Sequence, residues 1–189
     1  MSESLRKAVF LDRDGVLNVD LGYTYKSSDL KLVPSMVDGL KILAQSGYAL
    51  VMITNQSGVA RGLFTLAHVE DFHKELLRQI RLEIPGFDFD AVMICPHHPE
   101  GAVPEFSIDC QCRKPGIQLV TDAQKILSLD LSKSWLVGDK SSDVDCALNA
   151  GMRAIQVTRG GKQYSQSKKA FALVPTLLDA AGIIINNSL

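Results

Sequence analysis

The sequence has no surplus of charge of either sign and no long apolar run. Its 20 Lys and Arg side chains stand against 21 Asp and Glu, a formal net charge of −1. Such a chain has no global basic field to draw in a nucleic-acid backbone or an anionic lipid surface. The longest apolar stretches, Tyr48 to Ile53 and Gly182 to Ile185, fall far short of the ~20 residues that cross a bilayer. There is no internal repeat, heptad series or low-complexity tract, and Met1 to Lys7 lead into a strand-like segment without the apolar region of a secretory signal. These absences predict a cytoplasmic protein with neither a nucleic-acid nor a membrane partner.

What the chain does have is apolar material: 46% of its 189 residues, which predicts one globular domain over residues 1–189. Apolar runs of strand length alternate with segments of helical period, the pattern of a parallel sheet covered on both faces. The expected fold is therefore an α/β three-layer sandwich. Strands are expected at Ala8 to Leu11, Ala49 to Ile53, Ala91 to Ile94, Ser134 to Val137 and Ala154 to Val157. Val37, Leu40, Ile42 and Leu43 predict a helix ending near Gly47, and Leu66 to Ile80 a longer one capped by Thr65, both with core-facing stripes. Residues 117–129 and 143–150 supply two further crossovers, with Gly151 as a stop. Gly160 to Lys169 is polar and reads as an exposed loop.

Chemistry collects where the strands end. After the first strand, Asp12-Arg13-Asp14-Gly15 puts two carboxylates two residues apart at the edge where α/β sheets bind ligands. If the chain turns after Asp12, one carboxylate and the Asp14 carbonyl can share a hard, oxygen-liganded Mg²⁺, leaving the Asp14 side chain for proton transfer. Thr54 to Gly58 follows the second strand, Cys112-Arg113-Lys114-Pro115 closes a long loop, and Gly138-Asp139-Lys140 to Asp143 follows the fourth strand. A hydroxyl, a lysine and further aspartates around an acid pair suit a phosphomonoester. Each has a plainer reading: a turn with a solvated ion pair, a turn hydroxyl at Thr54, a surface lysine at Lys114, helix caps at Asp139 and Asp143.

The proline-rich stretch from Cys95 to Lys114 is about 20 residues without periodicity, a length that is usually functional. Cys95, His97, Cys110 and Cys112 predict a closed, structural Zn²⁺ site in a metal loop over residues 95–112. His98 is the rival to His97, and free thiols or a disulfide are the alternatives to metal. Three thiolates with one divalent ion leave a charge of −1, for which Arg113 is a natural partner; zinc would then fix the neighbouring Lys114. Cys146 reads as a buried thiol.

The ordered set Asp12-x-Asp14-Gly15-Val16, Thr54, Lys114-Pro115 and Gly138-Asp139-x-x-x-Asp143 resembles the haloacid dehalogenase superfamily of phosphatases over nearly the whole chain. That resemblance implies a Rossmann-like sandwich in which Asp12 attacks phosphorus and Asp14 serves as acid and then base. Thr54 and Lys114 would hold phosphoryl oxygens; Asp12, the Asp14 carbonyl and Asp139 would hold Mg²⁺, with Lys140 and Asp143 in support. Many members carry a cap domain, but the gaps here are too short, so an open site walled by Val19 to Tyr25 and the zinc loop is expected. The Cys-Pro-His-His-Pro and Cys-x-Cys-Arg-Lys-Pro segments are similar to a capless branch acting on a small sugar bisphosphate. That implies substrate contacts from Asp20, Leu21, Gly22, Tyr23, Asn55, Gln56, Ser57, Arg113 and Lys140, although Leu21 stands where a polar residue is expected. Arg61 could meet a second anionic end or be a surface charge. The alternatives are a histidinol-phosphate phosphatase, which usually has fewer than the 12 residues found here between His97 and Cys110, and a non-enzymatic, zinc-organised interaction module. A monomer is expected.

Overall fold

Alternate side chains of each strand face opposite sides of the sheet, so a strand that is apolar throughout must be covered twice. Ala8–Leu11 (β1) is such a strand, with all four residues buried. The computed structural model describes residues 5–158 and 164–187. In it, β1 is joined by Ala49–Asn55 (β2), Ala91–Cys95 (β3), Trp135–Gly138 (β4), Arg153–Val157 (β5) and Ala172–Val174 (β6). All pairings are parallel and the strand order is β3-β2-β1-β4-β5-β6.

Five α-helices cover the two faces: Met36–Ala44 (α1), Leu66–Glu83 (α2), Gln118–Leu127 (α3), Ser141–Asn149 (α4) and Leu177–Asn186 (α5). Val9, Leu11, Leu50, Met52, Val137 and Ile155 pack with Leu40, Phe72, Leu76 and Ile184, which places α1, α2 and α5 on one face. Ala8, Phe10, Val51, Ile53 and Leu136 pack with Val120, Ala123, Val144 and Ala147, which places α3 and α4 on the other. The three-layer α/β sandwich expected from the sequence is therefore present, and among the described residues no cap domain interrupts it.

The expected strands and helices agree with the observed ones to within two residues at the strand ends. Thr65 caps α2 by accepting from the His68 amide at 3.3 Å. Two elements lack a counterpart in the sequence reading, β6 and α5. Three residues of strand carry almost no periodicity, and Gly182 to Ile185, taken there only as an apolar run, is the core-facing end of α5. Ile42, read as part of a core stripe, lies on the outer edge of α1 at 37% exposure. Of the polar segment Gly160 to Lys169, residues 160–163 lie outside the described residues; Ser165, Gln166, Lys168 and Lys169 are exposed as expected, whereas Tyr164 is half-buried and lines the site. Among the described residues no helix is long and apolar enough to cross a membrane.

Parallel strands with β1 flanked by β2 on one side and β4 on the other create a switch point at their C-terminal ends, where crossover helices leave in opposite directions. The expected site residues are gathered there.

Candidate active site

Asp12 continues β1 by one residue, its amide donating to the Val137 carbonyl at 2.9 Å. The chain then turns tightly: the Arg13 carbonyl accepts from the amides of Leu17 and Asn18, and Gly15 takes φ +85°. A Cβ at Gly15 would overlap the Asp139 carboxylate, and one at Gly138 would overlap that of Asp143. Both glycines let backbone approach acid closely, and they leave a cradle of three buried carboxylates, Asp12, Asp139 and Asp143, whose ligand atoms lie within 4.8 Å of one another.

Lys114 is the cation that enters this cradle. Its Nζ lies 2.8 Å from Asp12 Oδ1 and 2.7 Å from Asp143 Oδ1, all three side chains being buried, and it donates to the Ile53 carbonyl at 3.2 Å. Burial works against the ammonium, but Asp12 and Asp143 outweigh it and hold Lys114 above the usual lysine range. The loop is fastened by Asn55, whose side chain accepts from the Lys114 amide at 3.0 Å and donates to its carbonyl at 3.2 Å. Asp143 also accepts from the Lys140 amide at 3.0 Å, so the helix-cap reading and the charge-pairing reading of this residue both hold.

Asp139 is different. Neither of its buried oxygens has a hydrogen-bond partner, and its nearest cation, Lys140 Nζ, is 3.5 Å from Oδ1. Burial together with the charge of Asp12 pushes its carboxyl up to about 8. Three carboxylates against one inserted ammonium is a charge deficit, and hard oxygen donors around such a deficit fit Mg²⁺. The orphaned Asp139 has the free lone pairs for it, whereas Asp143 is already engaged.

The Asp14 carboxylate faces the cavity and is fixed by three donors: Arg13 on both oxygens at 2.9 to 3.3 Å, Asn18 Nδ2 at 2.9 Å and Gln56 Nε2 at 2.9 Å. Gln56 Nε2 also donates to Thr54 Oγ1 at 2.8 Å, which ties Thr54 to the acid. Arg13 was legible only as half of a solvated pair; it is fully buried. Its guanidinium lies over the Phe72 ring, donates to the Thr24 carbonyl, and meets His73 Nε2 at 3.2 Å. An arginine only donates, so His73 accepts there as a neutral ring; burial and Arg13 depress its pKa to about 3.

Above these groups opens a cavity of about 340 Å³ lined by Asp14, Asp20, Gly22, Tyr23, Asn55 to Gly58, Arg113, Lys114, Lys140, Ser142 and Tyr164. Of the residues expected to contact the sugar or its distal phosphate, Leu21 is missing from this lining and is 58% exposed; Thr54, expected on a phosphoryl oxygen, is buried beneath it. Arg61 is also outside it, turned toward His98 at 3.0 Å. Of the expected walls, Asp20, Gly22 and Tyr23 contribute and Val19 packs against the core, whereas the metal loop over residues 95–112 lends no side chain and only Arg113 and Lys114, which follow it, reach the cavity.

In that loop Cys95, His97, Cys110 and Cys112 converge. Sulfur separations run from 2.9 to 3.6 Å, and His97 Nδ1 lies 3.2 Å from Cys112 Sγ. These spacings exceed a disulfide bond and approach the ~3.7 Å between sulfurs on a tetrahedral zinc. His97 lies with the three cysteines, whereas His98 is turned to Arg61 and to the Glu100 amide. The cluster adjoins the catalytic edge directly, since the Gln56 amide donates to the Cys95 carbonyl at 2.7 Å. Cys146 is a buried thiol donating to the Gly116 carbonyl at 3.3 Å. Sequence reasoning missed Arg13, His73, Gln156 and Tyr164; each matters through a partner distant in the chain.

Fold and site together define a phosphatase of the haloacid dehalogenase type. Residues 111–180 match the HAD-hydrolase-like family model. D-glycero-beta-D-manno-heptose-1,7-bisphosphate 7-phosphatase of Yersinia pestis is 40% identical over 167 residues, covering 87% of each chain. D-glycero-alpha-D-manno-heptose-1,7-bisphosphate 7-phosphatase of Photorhabdus laumondii is 34% identical over 187 residues, covering 97% of this chain and 100% of that one. The crystal structure of D,D-heptose 1,7-bisphosphate phosphatase from B. bronchiseptica, complexed with magnesium and phosphate, superposes with a TM-score of 0.80 at 28% identity, covering 95% of this chain and 98% of that chain. The chain belongs to the haloacid dehalogenase-like hydrolases, in the family of the D-glycero-manno-heptose-1,7-bisphosphate 7-phosphatases. The histidinol-phosphate and interaction-module alternatives are not favoured by these relatives.

Proposed function

We propose that the protein removes the 7-phosphate of D-glycero-D-manno-heptose 1,7-bisphosphate, the β-anomer by preference, during synthesis of the heptose nucleotide used for lipopolysaccharide core. The observation that carries this reading is the buried Asp12–Lys114 pair, 2.8 Å apart, at the foot of an open polar cavity. Lys114, and Mg²⁺ held by Asp12, Asp139 and the Asp14 carbonyl, suit a dianionic phosphoryl group beside a carboxylate. Magnesium, when bound, supplies the positive charge that lets two anions meet.

An Asp12 oxygen bonds to phosphorus as the bond from phosphorus to the C7 oxygen breaks, giving an aspartyl-phosphate and an alkoxide that takes a proton from Asp14. Asp14 then removes a proton from water, the water oxygen bonds to phosphorus, and the bond from phosphorus to Asp12 breaks to release inorganic phosphate. Arg13, Asn18 and Gln56 hold the Asp14 carboxylate toward the cavity for both transfers. Thr54 and Lys114 bind phosphoryl oxygens. Residues 20–23, Asn55 to Ser57, Arg113 and Lys140 bind the sugar and its distal phosphate. Arg113 Nη1 is buried with no hydrogen-bond partner, a vacancy that an anionic oxygen fits.

Cys95, His97, Cys110 and Cys112 would hold Zn²⁺ as a structural ion that orders the loop carrying Arg113 and Lys114. Reduced thiols suit the cytoplasm, where we place the enzyme. An open site without a cap suits a monomer. The test is phosphate release from both anomers with Mg²⁺. Asp12→Asn is expected to remain folded by circular dichroism and to lose turnover and the acid-stable, base-labile phosphoryl adduct. Near-normal release by that variant would remove Asp12 from the role.

A further inference from the structure

Tyr164 lines the cavity although it lies beyond β5, in a segment with no sequence signal for a site. Its place is enforced by Gln156, a buried β5 residue. The Gln156 carboxamide donates to the carbonyls of Asp139 at 2.9 Å and Ser165 at 3.0 Å and accepts from the Ser167 amide at 2.7 Å. A buried amide with its bonding capacity filled is rigid, and it ties the 164–167 segment to the backbone of the residue that follows β4.

From there Tyr164 reaches two groups at once. Its hydroxyl donates to Asp20 Oδ2 at 2.7 Å, and its ring carries the Lys140 ammonium 4.6 Å from the centroid. Lys140 in turn lies 3.3 Å from the same Asp20 oxygen and 3.5 Å from Asp139 Oδ1. Tyr164 and Lys140 therefore both bond one oxygen. The ammonium is shared between Asp20, Asp139 and the ring. Asp20 Oδ1 also accepts from the Gly22 amide at 2.8 Å. A carboxylate has about four acceptor positions; with three filled, Asp20 presents one, in a fixed direction, to a hydroxyl in the cavity. The phenol remains a donor at neutral pH, since burial and Asp20 push it up to about 12.

We propose that Tyr164 is a positioning residue for substrate recognition: by contacting both partners of the Asp20–Lys140 pair it fixes their directions and aims them at the hydroxyls and the negative charge of a polyhydroxylated phosphate ester. The proposal rests on the function given above and names the contacts that select its sugar.

The experiment measures kcat and KM of wild type, Tyr164→Phe, Asp20→Asn and the double variant on D-glycero-D-manno-heptose 1,7-bisphosphate, and on p-nitrophenyl phosphate, which has no sugar hydroxyls. Thermal unfolding checks that each is folded. Tyr164→Phe keeps the ring and removes one charge-assisted hydrogen bond. KM for the sugar is expected to rise about tenfold while kcat changes less than about threefold. The loss in kcat/KM should be at least about fivefold larger for the sugar than for p-nitrophenyl phosphate. Because Tyr164 acts through Asp20, adding Tyr164→Phe to Asp20→Asn should change KM less than about twofold. A Tyr164→Phe KM within about twofold of wild type, or an undiminished effect in the Asp20→Asn background, would overturn the proposal. A wild type active on p-nitrophenyl phosphate but inert on the heptose would instead overturn the functional reading on which it rests.

Discussion

Replacing Asp139 by Asn should make the metal-free protein more stable while destroying its response to Mg²⁺. Both Asp139 oxygens are buried without a hydrogen-bond partner, and Asp12 and Asp143 stand beside it. A carboxyl raised from its ordinary 3.8 to about 8 costs the folded state about 4 kcal/mol at pH 7 as a ceiling, chiefly because the fold holds it protonated where the unfolded chain does not. Relaxation and entry of water leave roughly half of that. A gain of ~2 kcal/mol in a chain of this size corresponds to a melting point about 4–8 °C higher. The sign with pH follows from proton counts. Between 3.8 and about 8 the folded state binds more protons at Asp139 than the unfolded state does, so this group erodes wild-type stability as pH rises. In EDTA, the advantage of Asp139→Asn should therefore widen from pH 5 to pH 8. With saturating Mg²⁺ the order reverses, because wild type gains about 2.7 kcal/mol at a hundredfold excess over Kd and the variant gains little. Calorimetric melts in EDTA and in Mg²⁺ at three pH values decide it. A variant that melts below wild type in EDTA would refute the claim that this site is strained without a cation.

Lys114→Met leaves Asp12 and Asp143 buried without their common cation; unfolding should cost about 3–5 kcal/mol less, and kcat should fall about 10²- to 10³-fold, as read by melts and phosphate release. Cys110→Ser and His97→Gln should each lose about one equivalent of zinc by elemental analysis and lower the melting point, whereas His98→Gln keeps the metal; a zinc-free wild type with full activity would contradict the structural role. His73→Gln should flatten the acid limb of stability. The His73 pKa of about 3 in the fold, against 6.5 when unfolded, means its contribution is intact above 6.5 and is lost as pH falls from there toward 3.

Local pattern made much of this protein legible. Four-residue apolar runs and 3.6-period stripes encode burial directly, so β1 to β5 and α1 to α4 follow from solvent exclusion alone. The acid pair, Thr54, Lys114 and the Cys/His set were legible because metal and phosphate chemistry restrict side-chain type and spacing. β6 is too short to show a period, and α5 is apolar enough to look like any buried segment.

Sequence by itself thus determined the sandwich, the loop with four soft ligands and the identity of the acids at the strand ends. Tertiary structure alone decided which partner each side chain meets. It placed His97 rather than His98 among the cysteines, buried Arg13 beneath Asp14 against His73, left Asp139 without a hydrogen bond while Asp143 took Lys114, and brought Tyr164 across 144 positions to Asp20. The reason is physical: burial is a property of a residue and its near neighbours in sequence, whereas a hydrogen bond or an ion pair needs a second group. Only the order of the strands determines which second group arrives.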